Sequence, residues 1–552
     1  MSAARSGAAV AALAVTLVSL VACASLVRAR PRTRSPAANR AAPPPHLFAT
    51  SEGCMACHNA LSTPAGEDVS IGSAWRASMM ANSGRDPYWQ ASVRREVLER
   101  PRARAAIEDE CTTCHMPMMR YQARAEGRHG EVLSRLPLGR AAEPEDLLAA
   151  DGVGCTLCHQ MLDAKLGTPE SFNGGFVVDS VRPRGERVVF GPYVIDRGRE
   201  TIMRSSSDFR PTQGLHIRRS ELCATCHTLY TDALDANGKP IGRFPEQVPF
   251  LEWQHSSYVE EQSCQSCHMP VVADSIAISG VWGQARPQLA RHDFRGGNFF
   301  MLNMLNRYRA ELGVAALPGE MDAAARRTVE FLQSQTARVQ VENVRLSGGR
   351  LLADVVVRNL TGHKLPTAYP SRRAWLHVTV RDLGGAVVFE SGRVGEDGAI
   401  AGNDNDANPF AYEPHYAEIG RADQVQIYES VMADTAGRVT TGLLSAVRYL
   451  KDNRLLPTGF DKRSAAPDIA VLGGAAADAD FTGGADRVRY TVDVSRGAAP
   501  FRVEAELWYQ PIGFRWAKNL GRHQADEIAR FTRYYSAMAN ASAVMLARDE
   551  GR

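Results

Sequence analysis

One pentapeptide form, C-x-x-C-H, occurs five times between residues 54 and 268. It reads Cys54–His58, Cys111–His115, Cys155–His159, Cys223–His227 and Cys264–His268. Two thiols three residues apart, Cys54 with Cys57, Cys111 with Cys114, Cys155 with Cys158, Cys223 with Cys226 and Cys264 with Cys267, reach both vinyl groups of one haem from a single turn. The histidine that follows, His58, His115, His159, His227 or His268, then lies under the ring and binds its iron. A zinc knuckle gives no reason for a histidine directly after every second cysteine, and a disulfide needs none. The motifs therefore call for five covalent haems c.

Each such iron has a second axial side, and nine histidines lie outside the motifs to fill it. His216 stands seven residues before Cys223, His255 sits in EWQHSSY, and His292 precedes a Gly pair that lets backbone approach a ring. His46 and His129 are weaker candidates, and His377, His415 and His523 read as structural. His363 lies in Thr361-Gly362-His363-Lys364-Leu365-Pro366, a loop between strands that could present one imidazole rigidly. Counting Met80, His216, His255 and His292 leaves one iron without a partner, and His363 is the expected fifth ligand.

The segment from Cys54 through Ser73-Ala74-Trp75-Arg76-Ala77-Ser78-Met79-Met80 resembles multihaem cytochromes of the cytochrome c554 type. There a motif is followed by W-x-x-S-x-H, whose histidine is a distal ligand, and Met80 occupies that place here. The resemblance covers roughly residues 50–310 and implies that Met80 sulfur is an axial ligand candidate. Residues 361–376, TGHKLPTAYPSRRAWL, are similar to a segment of β-rich domains appended to such cytochromes. The resemblance implies an electron carrier whose partners are redox proteins or an extracellular acceptor. A multihaem oxidoreductase of small nitrogen or sulfur compounds, working at one open haem, is the alternative. The C-x-x-C-K site of pentahaem nitrite reductases is missing, since all five motifs end in His.

The elements that must hold these residues follow from pattern. The chain has 552 residues and a formal net charge of +3, which calls for no nucleic acid partner. Residues 1–24 read as a signal peptide, and Leu20-Val21-Ala22-Cys23 resembles a lipobox that would acylate Cys23. Export to the periplasm or outer cell surface follows, with membrane attachment through an N-terminal lipid or an uncleaved signal. Residues 25–45 are a Pro/Arg-rich spacer and 46–310 a loop-rich pentahaem region with helices near 73–80, 87–98 and 299–312. A helical connector spans 311–337, with its helix at 321–336.

From 338 to 510 the apolar period changes to two, with Gly348-Gly349 and Gly384-Gly385 as turns, which predicts a β-sandwich-like domain. A C-terminal helical segment, 511–552, carries Ile528, Phe531, Tyr535 and Met538 on one stripe near 524–548. The fold class expected is α+β multidomain: a loop-rich, mainly α multihaem domain, then a β-sandwich-like domain and a C-terminal helix.

Overall fold

A computed structural model describes residues 46–139 and 143–552. The signal-like stretch, Cys23 and the spacer lie outside the described residues. The fold is mixed α+β and loop-rich, with its longest helix and its longest strands after residue 298. The unit that contains all five motifs runs from Pro44 to Arg552.

In the motif region the helices run to 13 residues at most. α1 (Ile71–Arg76) stops early because the Asn82 side-chain amide donates to the carbonyls of Arg76 and Ser78, at 3.0 and 2.9 Å. This is why the helix does not reach residue 80. α2 (Pro87–Glu99) starts where Asp86 accepts the N–H groups of Tyr88 and Trp89, with Pro87 at its first position. α3 (Arg104–His115) carries the second motif. Strand β1 (Val188–Gly191) pairs in parallel with β2 (Arg210–Gln213), and α4 (Arg197–Ser207) lies between them in sequence. α5 (Phe299–Arg307) ends at Tyr308, and a separate turn of helix covers Arg309–Leu312. α6 (Pro318–Gln335) takes Pro318 at its start, and the Glu320 carboxylate accepts the Leu317 N–H at 2.9 Å.

The strands follow the period-two runs. β3 (Ala337–Ser347) and β4 (Arg350–Asn359) form a hairpin across Gly348 and Gly349, whose φ values of +60° and +78° only glycine adopts freely. β5 (Arg373–Arg381) and β6 (Val387–Ser391) form the next hairpin. β7 (Ser430–Ala433) and β8 (Arg448–Asp452) make a small sheet in the long excursion that follows. β9 (Ala485–Asp493), β10 (Arg502–Gln510) and β11 (Val544–Gly551) close two larger sheets. One sheet has the order β6-β5-β10-β11; the other runs Glu418–Ile419, then β9-β4-β3.

Inward side chains of both sheets, including Val355, Val357, Leu376, Val378, Val488, Tyr490, Val503 and Leu507, are buried in one cluster. The same cluster holds Phe300, Met304, Leu305 and Phe531, and also Ala77, Tyr88 and Ala91 from the motif region. The sandwich and the motif region thus share a hydrophobic core. At the C-terminus α7 (Asp526–Ser536) buries Ile528, Phe531 and Tyr535 as the stripe predicts. It is shorter than expected: residues 544–551 form β11 instead, because β10 offers an unpaired edge. No helix among the described residues is long and apolar enough to cross a membrane.

Candidate functional site

Four of the five motif histidines are fixed by backbone carbonyls. Nδ1 of His58 donates to Ile278 O at 2.6 Å, His115 to Ser83 O at 2.9 Å, and His159 to Phe190 O at 2.6 Å. His268 donates likewise to Arg295 O. A carbonyl only accepts, so each ring carries its proton on Nδ1 and keeps the Nε2 lone pair. Burial favours the neutral ring, pulling His115 to about 4 and His159 and His268 down as well. His227 lacks such a carbonyl among the described residues and is exposed. Trp89 stacks on His115 with ring centres 4.3 Å apart and planes within 4°.

Two further imidazoles face motif histidines. His292 stands opposite His159, ring centres 6.4 Å apart and planes 14° from parallel. His363 stands opposite His268 at 6.2 Å and 15°. A metal–imidazole bond of about 2.0 Å places two rings sharing one ion roughly 6 Å apart. Nδ1 of His292 donates to Ala290 O and Nδ1 of His363 to Lys364 O, each at 2.9 Å. Both rings keep a free Nε2 lone pair, and burial holds both at about 4.

His216 and His255 are held differently. His216 Nε2 donates to Met161 O at 2.8 Å, and the ring sits edge-on to Phe190. His255 Nε2 lies 3.1 Å from Asp461 O, with its ring on Phe460. In both, Nε2 is engaged by a carbonyl, which leaves only the Nδ1 lone pair, and neither ring is paired with a motif histidine. Met80 gives its carbonyl to the Val153 N–H at 3.0 Å and packs in the cluster that includes Cys111 and Cys158. His46 and His129 are exposed. His377 lies between Glu506 and Glu390, at 2.9 and 3.1 Å.

His415, Asp478 and Asp486 gather closely enough to suggest a metal site. His415 Nδ1 accepts amide hydrogens from Gln426 and Asn453, at 2.9 and 3.1 Å, so its proton is on Nε2, donated to Asp478 at 3.0 Å. The lone pair a metal would need is not there, and His415 is a hydrogen-bonded core residue.

The His363 loop is anchored by buried charge. Lys364 Nζ meets Asp452 at 2.7 Å, Arg454 bonds both Asp452 and Glu252, and Glu252 accepts the Lys364 N–H and the Thr367 hydroxyl. Lys364 and Glu252 are fully buried. Every charge therefore has a partner, as burial demands.

The motifs are coupled to each other by a device that recurs. Ser51 Oγ accepts the Cys155 N–H, and Ser220 Oγ accepts the Cys264 N–H, each at 3.0 Å. Each serine stands three residues before a motif, in Ser51-Glu52-Gly53-Cys54 and Ser220-Glu221-Leu222-Cys223. Haem-motif spacing alone does not mark either serine, and the signal that does is the shared S-E-x-C. The thiols of the same motifs lie close together, Cys54 to Cys155 and Cys223 to Cys264, and so do those of Cys114 and Cys226. Cys158 neighbours Cys223 and Cys226. The spatial order is therefore first motif, third, fourth, fifth, with the second branching from the fourth.

All ten motif cysteines are free thiols with accessible surface. Between the cysteines, Thr112-Thr113, Thr156-Leu157 and Ala224-Thr225 are buried, whereas Ala56 and Ser266 are exposed. The first and fifth motifs thus lie at the surface. Free thiols in pairs, each beside an imidazole with an unused Nε2, fit covalent haem.

No family model and no curated protein matches the chain. Among solved structures it is similar to a penta-heme cytochrome c552 from Thermochromatium tepidum, with a TM-score of 0.51 and 17% identity. The match covers 92% of this chain and 99% of that one, so the likeness of fold runs through the motif region and the sandwich alike.

Proposed function

We propose that the chain is a c-type cytochrome with haem c on each of its five motifs, and that it carries single electrons between redox partners. The facing pairs His159–His292 and His268–His363 carry this reading. When bound, the haem irons supply one-electron ferric/ferrous chemistry. The cysteine thiols fix each ring in place, and the carbonyl-oriented histidines hold Nε2 toward it. His292 and His363, each with Nε2 free, would hold the irons of the third and fifth centres together with His159 and His268. The similar fold of a penta-heme cytochrome supports the reading. Export, with Cys23 as a lipid attachment point, belongs to the same proposal. Intact mass tests it: the processed protein exceeds its polypeptide by five haem masses, and a smaller excess removes at least one motif from the count.

A second reading, an oxidoreductase acting at an open haem, is favoured by the surroundings of the second motif. Burial pushes Glu246 up to about 7, and Glu110 and Glu96 lie near it and Cys111. The Thr231 hydroxyl donates to Glu246 at 2.6 Å. A buried acid beside a branch-end centre could supply protons to a bound small molecule. A high-spin EPR signal that shifts on adding nitrite or hydroxylamine supports it, and uniformly low-spin haems exclude it.

A further inference from the structure

The surface beside the first motif is unlike the rest of the chain. Residues 182–219 hold nine arginines and no lysine against four carboxylates. Three of those carboxylates are already paired, Asp196 with Arg199, Glu200 with Arg210 and Asp208 with Arg184. Arg197 has no ion-pair partner among the described residues, Arg204 donates to Gly185 O at 2.9 Å, and Arg218 to the Gln288 amide oxygen at 3.3 Å. Arg286 from the neighbouring loop donates to Val194 O at 2.8 Å. Their charge is left uncompensated.

The same face is apolar at its centre. Trp282 is 77% exposed, Val194 66%, Leu215 61% and Val281 48%. α4 buries no side chain at all. It is held by polar ties instead: Asp196 caps it, Arg199 donates to Trp282 O at 3.0 Å, and Arg204 reaches Gly185. Tyr193 is flanked by Arg218 and Arg286, and its hydroxyl donates to Pro287 O. These bonds join α4, residues 192–195, 213–218 and 278–288 into one surface.

That surface is continuous with the first motif. Ile278 O orients His58, and the Gly280 N–H donates to Cys57 O at 2.7 Å, two residues from Trp282. α4 also contacts the helix Glu52–Met55. The first motif ends the line of coupled motifs and lies at the protein surface.

We propose that this arginine-rimmed apolar face is the docking surface of an acidic electron-transfer protein, which exchanges electrons with the first centre. The inference rests on the electron-carrier reading above. Charge complementarity names the partner: a cationic rim steers an acidic protein to a small dry contact, where a compact apolar patch suffices for a transient complex. In each encounter one electron leaves the partner's reduced centre and one ferric haem becomes ferrous. No bond is made or broken.

The test is stopped-flow reduction of the oxidised holoprotein by reduced plant-type [2Fe–2S] ferredoxin, a donor of strongly negative charge. The second-order rate should fall about tenfold or more between low salt and roughly 0.3 M NaCl. The triple variant Arg197→Glu, Arg204→Glu, Arg218→Glu should lose about tenfold at low salt. The charge-matched control Arg345→Glu, Arg350→Glu, Arg496→Glu, exposed at the far turn of the sandwich, should stay within about twofold of wild type. Reduction by a neutral flavin radical should be equal in all three proteins. An equal loss in the control, or none in the triple variant, overturns the docking surface. So does a triple variant whose haem potentials move, since its arginines would then be serving haem propionates. Loss of binding to phosphatidylglycerol vesicles with an unchanged ferredoxin rate assigns the face to a membrane instead and overturns it too. Failure of the neutral radical to reduce wild type removes the electron-carrier reading itself.

Discussion

The Ser220 hydroxyl accepts the backbone N–H of Cys264 at 3.0 Å, as Ser51 does for Cys155. One side chain thus ties the approach to one motif to the first residue of another. Both serines are buried, and Ser51 also donates to Asp151 at 2.8 Å. Removing such an acceptor strands a buried N–H, at about 1–3 kcal/mol. Ser51→Ala and Ser220→Ala should both lower the denaturation midpoint of the holoprotein, Ser51→Ala by more because Asp151 also loses a donor. Midpoints equal to wild type would show that water replaces the serine.

Gly154, directly before Cys155, sits in the same junction. A Cβ there would stand 2.3 Å from Asp151 Oδ2, 2.5 Å from Met118 Cε and 3.0 Å from Ser51 Oγ. Gly154→Ala must displace these side-chain ends, with an overpacking cost of about 1–3 kcal/mol. A lower unfolding midpoint with all haems attached is the expected result. Unchanged stability would mean that the junction yields freely.

Spin state separates the candidate ligands. His292→Ala and His363→Ala should each convert one haem from low to high spin in the low-temperature EPR spectrum. His216→Ala and His255→Ala should convert none, since their rings pack edge-on to Phe190 and Phe460 and face no motif histidine. A high-spin signal in either of the latter variants would show that haem insertion rearranges those rings.

These contrasts mark what a sequence can carry. Motif spacing, the Gly348-Gly349 hairpin and the alternation of Leu376, Val378 and Val380 are local, and the chain shows them directly. Which nitrogen of His216 or His255 bears a proton depends on carbonyls 55 and 206 residues away. No local context separates those rings from His292. The strand at 544–551 was hidden for a similar reason: its partner is β10, and only that pairing makes a strand of residues read as a helix tail. The S-E-x-C repeat was legible, but its partners Cys155 and Cys264 were not.

Asp452 governs the loop that presents His363. Burial alone would raise its carboxyl, but Arg454 and Lys364 more than offset this and hold it at about 2. The folded value lies below the unfolded value of 3.8, so the stabilisation is present above about pH 4 and is lost as pH falls toward 2. The difference corresponds to about 2 kcal/mol. Wild type should therefore lose stability across that window, and Asp452→Asn should lose it less steeply. At neutral pH the variant leaves the Lys364 ammonium without its carboxylate partner, while Arg454 keeps Glu252, at a cost of about 3–5 kcal/mol for an uncompensated buried charge. Since Lys364 follows His363 directly, the variant should also weaken the hold on that imidazole and raise the high-spin fraction of one haem. The decisive measurement is the urea midpoint from pH 2 to 7, followed at the haem absorption band. A variant that matches wild type in slope, midpoint and spin state would remove Asp452 from any role in holding His363.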